Sequence, residues 1–547
     1  MLAESESSVA SRWRDRVRGR EALIAFVAIE VGALPLLLFF GRHAWFTKDD
    51  WDFLSARTAG DLGDWFRDHF QHLVTLPVLI YRLLWVLFGI RTYVPYLVLV
   101  IVTHLAVAAL VRVLLRRLGV RPWLATVMAG SFVLFGAGGE NILVAFQITF
   151  GGSLLFGLLH LVLADHDGPI DRRDRLGLLA GFAGLLCSGV AVPMTIVVGL
   201  TVLLRRGRRG WRIALFHTAP IGIAYIIWTV AAPKGPTDTN LRSHSPVQMI
   251  KFVRVGIEAA FGGLGQLPGV GIALFVLLVV GLALAIRSRA KGERWFGDGR
   301  AAPVALVVGA VLFLFMTAAT RSGQGGNLVL LKDAGPVRAR ESRYVYLIAA
   351  MCLPAIGLAA EMLIRKRKAL AVPIAALLLV GLPANVNQLS DYSPHYATPS
   401  GTRLAILSLP RLPLSAQLRN THTPYPDSRL SVEGLTVSWL IDSADKIPDP
   451  GPVKPGLAAG EVLQFLVQPS SSPSPGFRCT RLTKPFVRVI GRRHTFTVER
   501  GFAYIRYAPA IGVMSPLRKF APDTYRALVG PLRLKFFPLD KGVDVCV

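Results

Sequence analysis

Three carboxylates crowd into Asp49-Asp50-Trp51-Asp52, just past the end of the first long apolar run, Ala22 to Phe40. Ionised side chains are too costly to bury in hydrocarbon, so this group must stand where the first helix leaves a bilayer. Neighbouring carboxylates raise one another's pKa or collect a cation, which suits a general base or an ion site. The same outer stretch, Arg42 to about Tyr93, also carries Asp61, Asp64, Asp68, His69 and His72. For Asp61, Asp64 and Asp68 an ordinary acidic loop surface is an equal reading. A second short loop, Gly136 to Asn141, adds Glu140 and leads into Phe146-Gln147-Ile148-Thr149-Phe150. Glu140 is either a ligand for a hydroxyl or a solvated loop residue. The stretch Arg321 to Ser342 concentrates cations: Arg321, Lys332, Arg338 and Arg340, with Glu341, ahead of Arg343-Tyr344. Guanidinium groups at a lipid-water boundary are natural partners for a phosphate, whether of a substrate or of a lipid headgroup, and also for the acidic first loop.

The elements that must position these groups follow from composition. Of 547 residues, 52% are hydrophobic and only 17% charged, with a mean hydropathy of +0.49. That is too apolar for a soluble chain of this size and marks a polytopic membrane protein. The formal charge of +27 invites a nucleic-acid reading. The basic residues, however, fall in short bursts between apolar runs rather than on one aromatic-interleaved face, so no nucleic-acid partner is expected.

Runs of spanning length lie near 22–41, 94–115, 122–137, 149–164, 212–232, 267–286, 302–320, 343–364 and 369–388. The longer stretch 176–204 carries Gly184, Cys187, Ser188, Gly189 and Pro193 midway and reads as a hairpin of two short helices, giving about eleven crossings. Segment 73–90 is ambiguous. If it crossed, Arg112 to Arg121, Arg205 to Arg212 and Arg365 to Lys368 would face outward, against the positive-inside rule. Laid along the membrane as an amphipathic helix, it lets six basic loops become cytoplasmic together. The N-terminus is then inside, and Arg12 to Arg20 with the following apolar run read as a retained signal anchor. The outer loops are 42–93, 136–141, 233–266 and 321–342.

After the last crossing the chain turns rich in Pro, Ser and Arg, with alternating stretches at Thr436–Leu440, Phe486–Ile490, Phe502–Tyr507 and Leu532–Phe536. These predict a β-rich extracytoplasmic domain over 391–547, with Gln468 to Pro475 an exposed loop or linker. Cys479 and Cys546 both fall in this outward domain and are expected to pair, whereas Cys187 and Cys352 sit in apolar helices as inert small hydrophobes. Metal-ligand spacings of the C-x-x-C or H-E-x-x-H type and nucleotide-binding glycine loops are lacking where they would count. Any chemistry therefore faces outward and needs an activated donor already in the membrane.

The order of features is similar to the GT-C class of integral membrane glycosyltransferases. The resemblance rests on a first helix followed at once by the pair Asp49-Asp50, the His72 and Pro77 neighbourhood of a juxtamembrane helix, about ten further crossings, the helix start Ser342-Arg343-Tyr344 and an outward C-terminal domain. It covers roughly residues 20 to 390. It implies a mostly α, polytopic bundle over 22–390 with a catalytic outer loop, after a basic cytoplasmic segment 1–21, and a bacterial plasma-membrane location. It also implies inverting transfer of a hexosyl or pentosyl group from a polyprenyl-phosphate donor to a glycan, lipid or protein acceptor of the cell envelope, among membrane lipids. Asp50 or Asp49 would be the base. Asp52, His72, Glu140, Lys332, Arg338, Arg340, Arg343 and Tyr344 would bind substrate, and a divalent cation (Mg2+, Mn2+ or Ca2+) is compatible without a dedicated metal motif. Two alternatives stay open: a transporter or flippase of lipid-linked glycans, and a non-catalytic scaffold for envelope assembly.

Overall fold

The computed structural model describes residues 2–58, 60–233, 242–243, 245–287, 300–323, 334–396, 400–411, 435, 437–451 and nine strands between 467 and 546. The chain forms two compact units. One comprises Met1–Ala44, Ala59–Ile80 and Val94–Tyr396; the other comprises Trp45–Thr58, Tyr81–Tyr93 and Ala397–Val547. The acidic run therefore folds with the C-terminal part of the chain rather than with the helical bundle.

Among the described residues, seven helical stretches are long and apolar enough to cross a membrane, and nine if each of two bent pairs is one span. The expected hairpin of two short helices over 176–204 is present, and the number of crossings is approximate. Arg172–Leu185 and Ala191–Arg206 have only 14 and 16 residues, and the second runs on through Gly207–Gly210 into Trp211–Ala231. The ambiguous segment forms the helix Thr75–Phe88, whose 14 residues reach about 21 Å, short of the roughly 30 Å of hydrocarbon. The expected outer loop 233–266 is largely a helix, Pro246–Gly265, with a bend of 110° to the next one. Its charges at Lys251, Arg254 and Glu258 disguised a helical period, and Arg254 pairs with Glu258 one turn on, at 2.9 Å.

The bundle is organised around Ser342–Lys366, which is buried at every position from Tyr344 to Glu361. A helix apolar on all sides needs neighbours all round. Small residues let those neighbours approach: a Cβ on Gly281 would stand 2.1 Å from the carbonyl oxygen of Ala355. His104 satisfies both ring nitrogens inside this core, at 2.9 Å from the Tyr346 hydroxyl and 3.0 Å from the Val133 carbonyl.

In the second unit the β-rich region forms two antiparallel sheets. One runs in the order Val467–Pro469, Asp523–Ala527, Thr495–Arg500, Val543–Cys546, Cys479–Leu482; the other runs Phe486–Ile490, Leu532–Pro538, Ala503–Tyr507, Arg518–Phe520. Cys479 stands opposite Cys546 in register and the two form a disulfide. Three of the four alternating stretches are strands. Thr436–Leu440 is not: Val437–Asp442 is a helix, because a run this short and apolar does not discriminate between the two periods. Gln468 and Pro469 lie in a strand, and the rest of the expected linker, 470–475, falls outside the described residues.

Candidate functional site

In the second unit, Asp49, Asp50 and Asp52 lie on the short helix Lys48–Leu54. Thr47 is its N-cap, and Asp50 closes a capping box by accepting from the Thr47 backbone N–H at 2.7 Å and the Thr47 hydroxyl at 3.1 Å. The Tyr81 hydroxyl donates to the other Asp50 oxygen at 2.5 Å. Asp50 is 0% exposed. Burial pushes its carboxyl up to about 7 despite these donors, and repulsion from Asp49 is the smallest contribution. The Asp49 charge therefore adds little to the rise at Asp50.

Asp52 accepts from the buried Arg57 at 2.9 Å. Arg82 donates to the carbonyls of Leu54, at 2.6 Å, and Arg57, closing the helix C-terminus. Trp51 and Trp85 both pack on Trp439, and Ile90 N–H meets the Lys446 carbonyl at 3.3 Å. Aromatic walls therefore fix the acid helix, and Asp49, half-buried, is the carboxylate of the pair left with access to solvent.

In the first unit a cationic cluster forms at the start of the buried helix. Arg343, 31% exposed, lies 3.4 Å from Glu140, bonds Glu341, and covers the Tyr344 ring at 5.3 Å. Glu140 in turn accepts from Gln147 at 2.6 Å. Ser342 joins the two segments: its hydroxyl accepts from the Glu140 N–H at 3.1 Å and donates to the Ala137 carbonyl at 2.8 Å. Tyr344 is buried between Phe252 and Phe313.

His72 ends a tight hairpin. His69 and His72 exchange both backbone hydrogen bonds at 2.9 Å, across Phe70 and Gln71 with φ of 48° and 71°. Two non-glycine residues in the left-handed region are a strained way to make this turn, and such strain gathers at functional positions. The Gly189 N–H donates to His72 Nδ1 at 3.2 Å, so the neutral ring carries its proton on Nε2. Packing around the ring, then the charges of Arg321, His69 and Arg343, lower His72 to about 3 and keep it neutral.

The structure thus brings Glu140, Arg343, Tyr344 and His72 into one neighbourhood of the first unit. Arg340 lines an adjacent cleft and Arg338 is half-buried. Lys332 lies outside the described residues. Asp61 caps the helix Leu62–Phe66, Asp64 pairs with Arg67 at 3.3 Å, and Asp68 accepts from the Gln71 N–H, all roles in building the loop. Arg321, whose charge also acts on Tyr344, and Tyr81 are additions. A basic residue at the start of a loop expected to face outward signalled the first; nothing in an apolar helix signalled the second.

The acidic run does not fit a divalent cation. Asp50 is turned to Thr47 and Tyr81 and Asp52 to Arg57, and the run is not among the groups of ligands close enough to share an ion in the described residues. Among the described residues, the group of three ligands close enough to share an ion is His166, Asp171 and Asp174. It is already tied by hydrogen bonds: Asp174 meets His166 at 3.1 Å and His217 at 2.9 Å, and His217 meets His160 at 3.0 Å.

The apolar helices and the two sheets define a multi-pass membrane protein with a β-rich C-terminal region. No family model matches the chain, and no curated protein matches it. Among solved structures it is similar to the crystal structure of ArnT from Cupriavidus metallidurans in the apo state, at 14% identity and a TM-score of 0.45, over 79% of this chain and 85% of that one. At that score the likeness carries no weight for fold or activity.

Proposed function

We propose that this protein is a GT-C-type membrane glycosyltransferase that moves a sugar from a polyprenyl-phosphate donor to a hydroxyl of a cell-envelope acceptor. The observation that carries the reading is the Arg343 cluster: an arginine whose side chain is 31% exposed, held by Glu140 and Glu341 beside a neutral imidazole. A cation held in place before substrate arrives is what a departing phosphate requires, because charge grows there in the transition state. The order of motifs from Asp49-Asp50 to Ser342-Arg343-Tyr344 gives the same reading from the sequence.

In this mechanism the acceptor oxygen attacks the anomeric carbon while its proton passes to Asp49. The bond from that carbon to the phosphate oxygen breaks, its electron pair leaves on polyprenyl phosphate, and the configuration inverts. Asp49 takes the base role because it is the more accessible acid. Asp50, enclosed by Thr47 and Tyr81, is a positioning residue that fixes the helix. Arg343 holds the phosphate with Arg338 and Arg340 near it in sequence, Lys332 stands in reserve, and His72 Nε2–H and Glu140 orient sugar hydroxyls. No step runs through a metal.

The test is transfer of radiolabelled sugar from a polyprenyl-phosphate donor by the purified chain. Wild type transfers and Asp49→Asn does not; full activity in Asp49→Asn removes Asp49 from the base role. The transporter alternative draws no support from His104, whose ring is tied off within the core.

A further inference from the structure

Beside the Arg343 cluster the first unit has an open cleft of about 620 Å³, inside the ~300–1,000 Å³ range of ligand sites. Its lining mixes small apolar residues with polar ones, among them Gln266, Arg340, Gln388, Asp391 and Tyr392, and includes Gly262. Two amides in it are fixed in advance. Gln266 Nε2 donates to the Gln388 side-chain carbonyl at 3.0 Å, and Gln388 Nε2 returns a bond to Gln266 at 3.1 Å. Gln266 Nε2 also lies 2.9 Å from the Gly263 carbonyl and 3.1 Å from Asn385 Oδ1. Asn385 is itself buried and held by the carbonyls of Gly263 and Gly381.

Gln266 makes this lattice from a left-handed backbone, φ 59°, at the end of its helix, a conformation costly for a non-glycine residue. Planar amides with fixed orientation, a carboxylate and a phenol ring are the groups that bind and stack on polyhydroxyl rings, and the small residues between them leave room for a ring face. Ser342 also lines the cleft while bonding Glu140, so the cleft and the Arg343 cluster share an edge.

We propose that this cleft is the docking site of the acceptor, and that the acceptor is a neutral carbohydrate held through its hydroxyls. The assignment rests on the transferase reading for the word acceptor; carbohydrate binding at the cleft stands by itself. Gly262 provides a clean test. A Cβ at this position meets nothing within 4 Å, so a large side chain extends into open space, and replacing a glycine inside a helix does not weaken it.

The experiment is equilibrium dialysis of the full chain in nanodiscs against a panel of tritiated short oligosaccharides built of glucose, galactose, mannose or arabinose, with the thermal midpoint recorded. Wild type is expected to retain at least one of them. Gly262→Phe and Asp391→Ala are expected to weaken that retention by about tenfold or more with an unchanged midpoint. No retention of any oligosaccharide by wild type, or equal retention by Gly262→Phe, overturns the proposal. In a parallel arm, radiolabelled polyprenyl phosphate reports the parent reading: its loss from wild type sinks the transferase assignment while the dialysis still decides the cleft.

Discussion

Asp50 and Arg343 are both ionisable residues against aromatic walls, yet they are treated in opposite ways. Asp50 is fully enclosed, takes three donors and is held up to about 7, so it spends much of the working range on its proton. Arg343 keeps nearly a third of its side chain exposed and is steadied by two carboxylates. The difference separates a group that builds the structure from one that can meet a ligand. A conspicuous acid in a sequence need not be the acid that reacts, and the proposed mechanism gives the base role to Asp49, its less buried neighbour.

The largest effect should come from the accessible acid. Asp49→Asn is expected to lower the transfer rate by about 10²–10⁴-fold, measured as initial rate at saturating donor, as removal of a general base does. Arg343→Gln should cost about 10²–10³-fold, with the loss in kcat, because it stabilises charge that develops in the transition state. Equal effects of Asp49→Asn and Asp50→Asn on kcat would erase the contrast.

Structural perturbations should be smaller. Replacing Cys479 and Cys546 by Ser opens a link between residues 67 apart, and should cost about 2–4 kcal/mol in chemical denaturation followed on the β-rich region. Tyr81→Phe removes the 2.5 Å donor to Asp50, and should cost about 1–3 kcal/mol at pH 8.

The smallest effect concerns pH. An acid whose pKa is raised on folding adds stability that is fully present below its unfolded pKa, near 3.9, and is lost as pH rises through the folded value, about 7. Stability should therefore decline between those limits. Asp50→Asn should flatten that slope in denaturation curves at successive pH values.

The bundle was legible because a membrane forces long apolar runs on any chain that crosses it. Its bends were not, since Pro246–Gly265 carries Lys251, Arg254 and Glu258 on an exposed face and so resembles a loop. The disulfide followed from two cysteines in one region expected to face outward. The membership of the acidic run in the second unit was hidden, because it depends on Trp51 and Trp85 meeting Trp439, hundreds of residues away in the chain. The Arg343 neighbourhood was legible in part. Charge in a loop expected to face outward pointed to Arg343, whereas the pairing of Glu140 with Ser342 and Arg343 needs the fold.

The most direct measurement is the fate of both halves of a polyprenyl-phosphate sugar given to the purified chain with envelope extract. Labelled sugar should enter an acceptor, one polyprenyl phosphate should be released per sugar transferred, and nuclear magnetic resonance of the product should show the inverted anomeric configuration. Retained configuration, or label that crosses the membrane still attached to its lipid, would contradict direct transfer by an aspartate base.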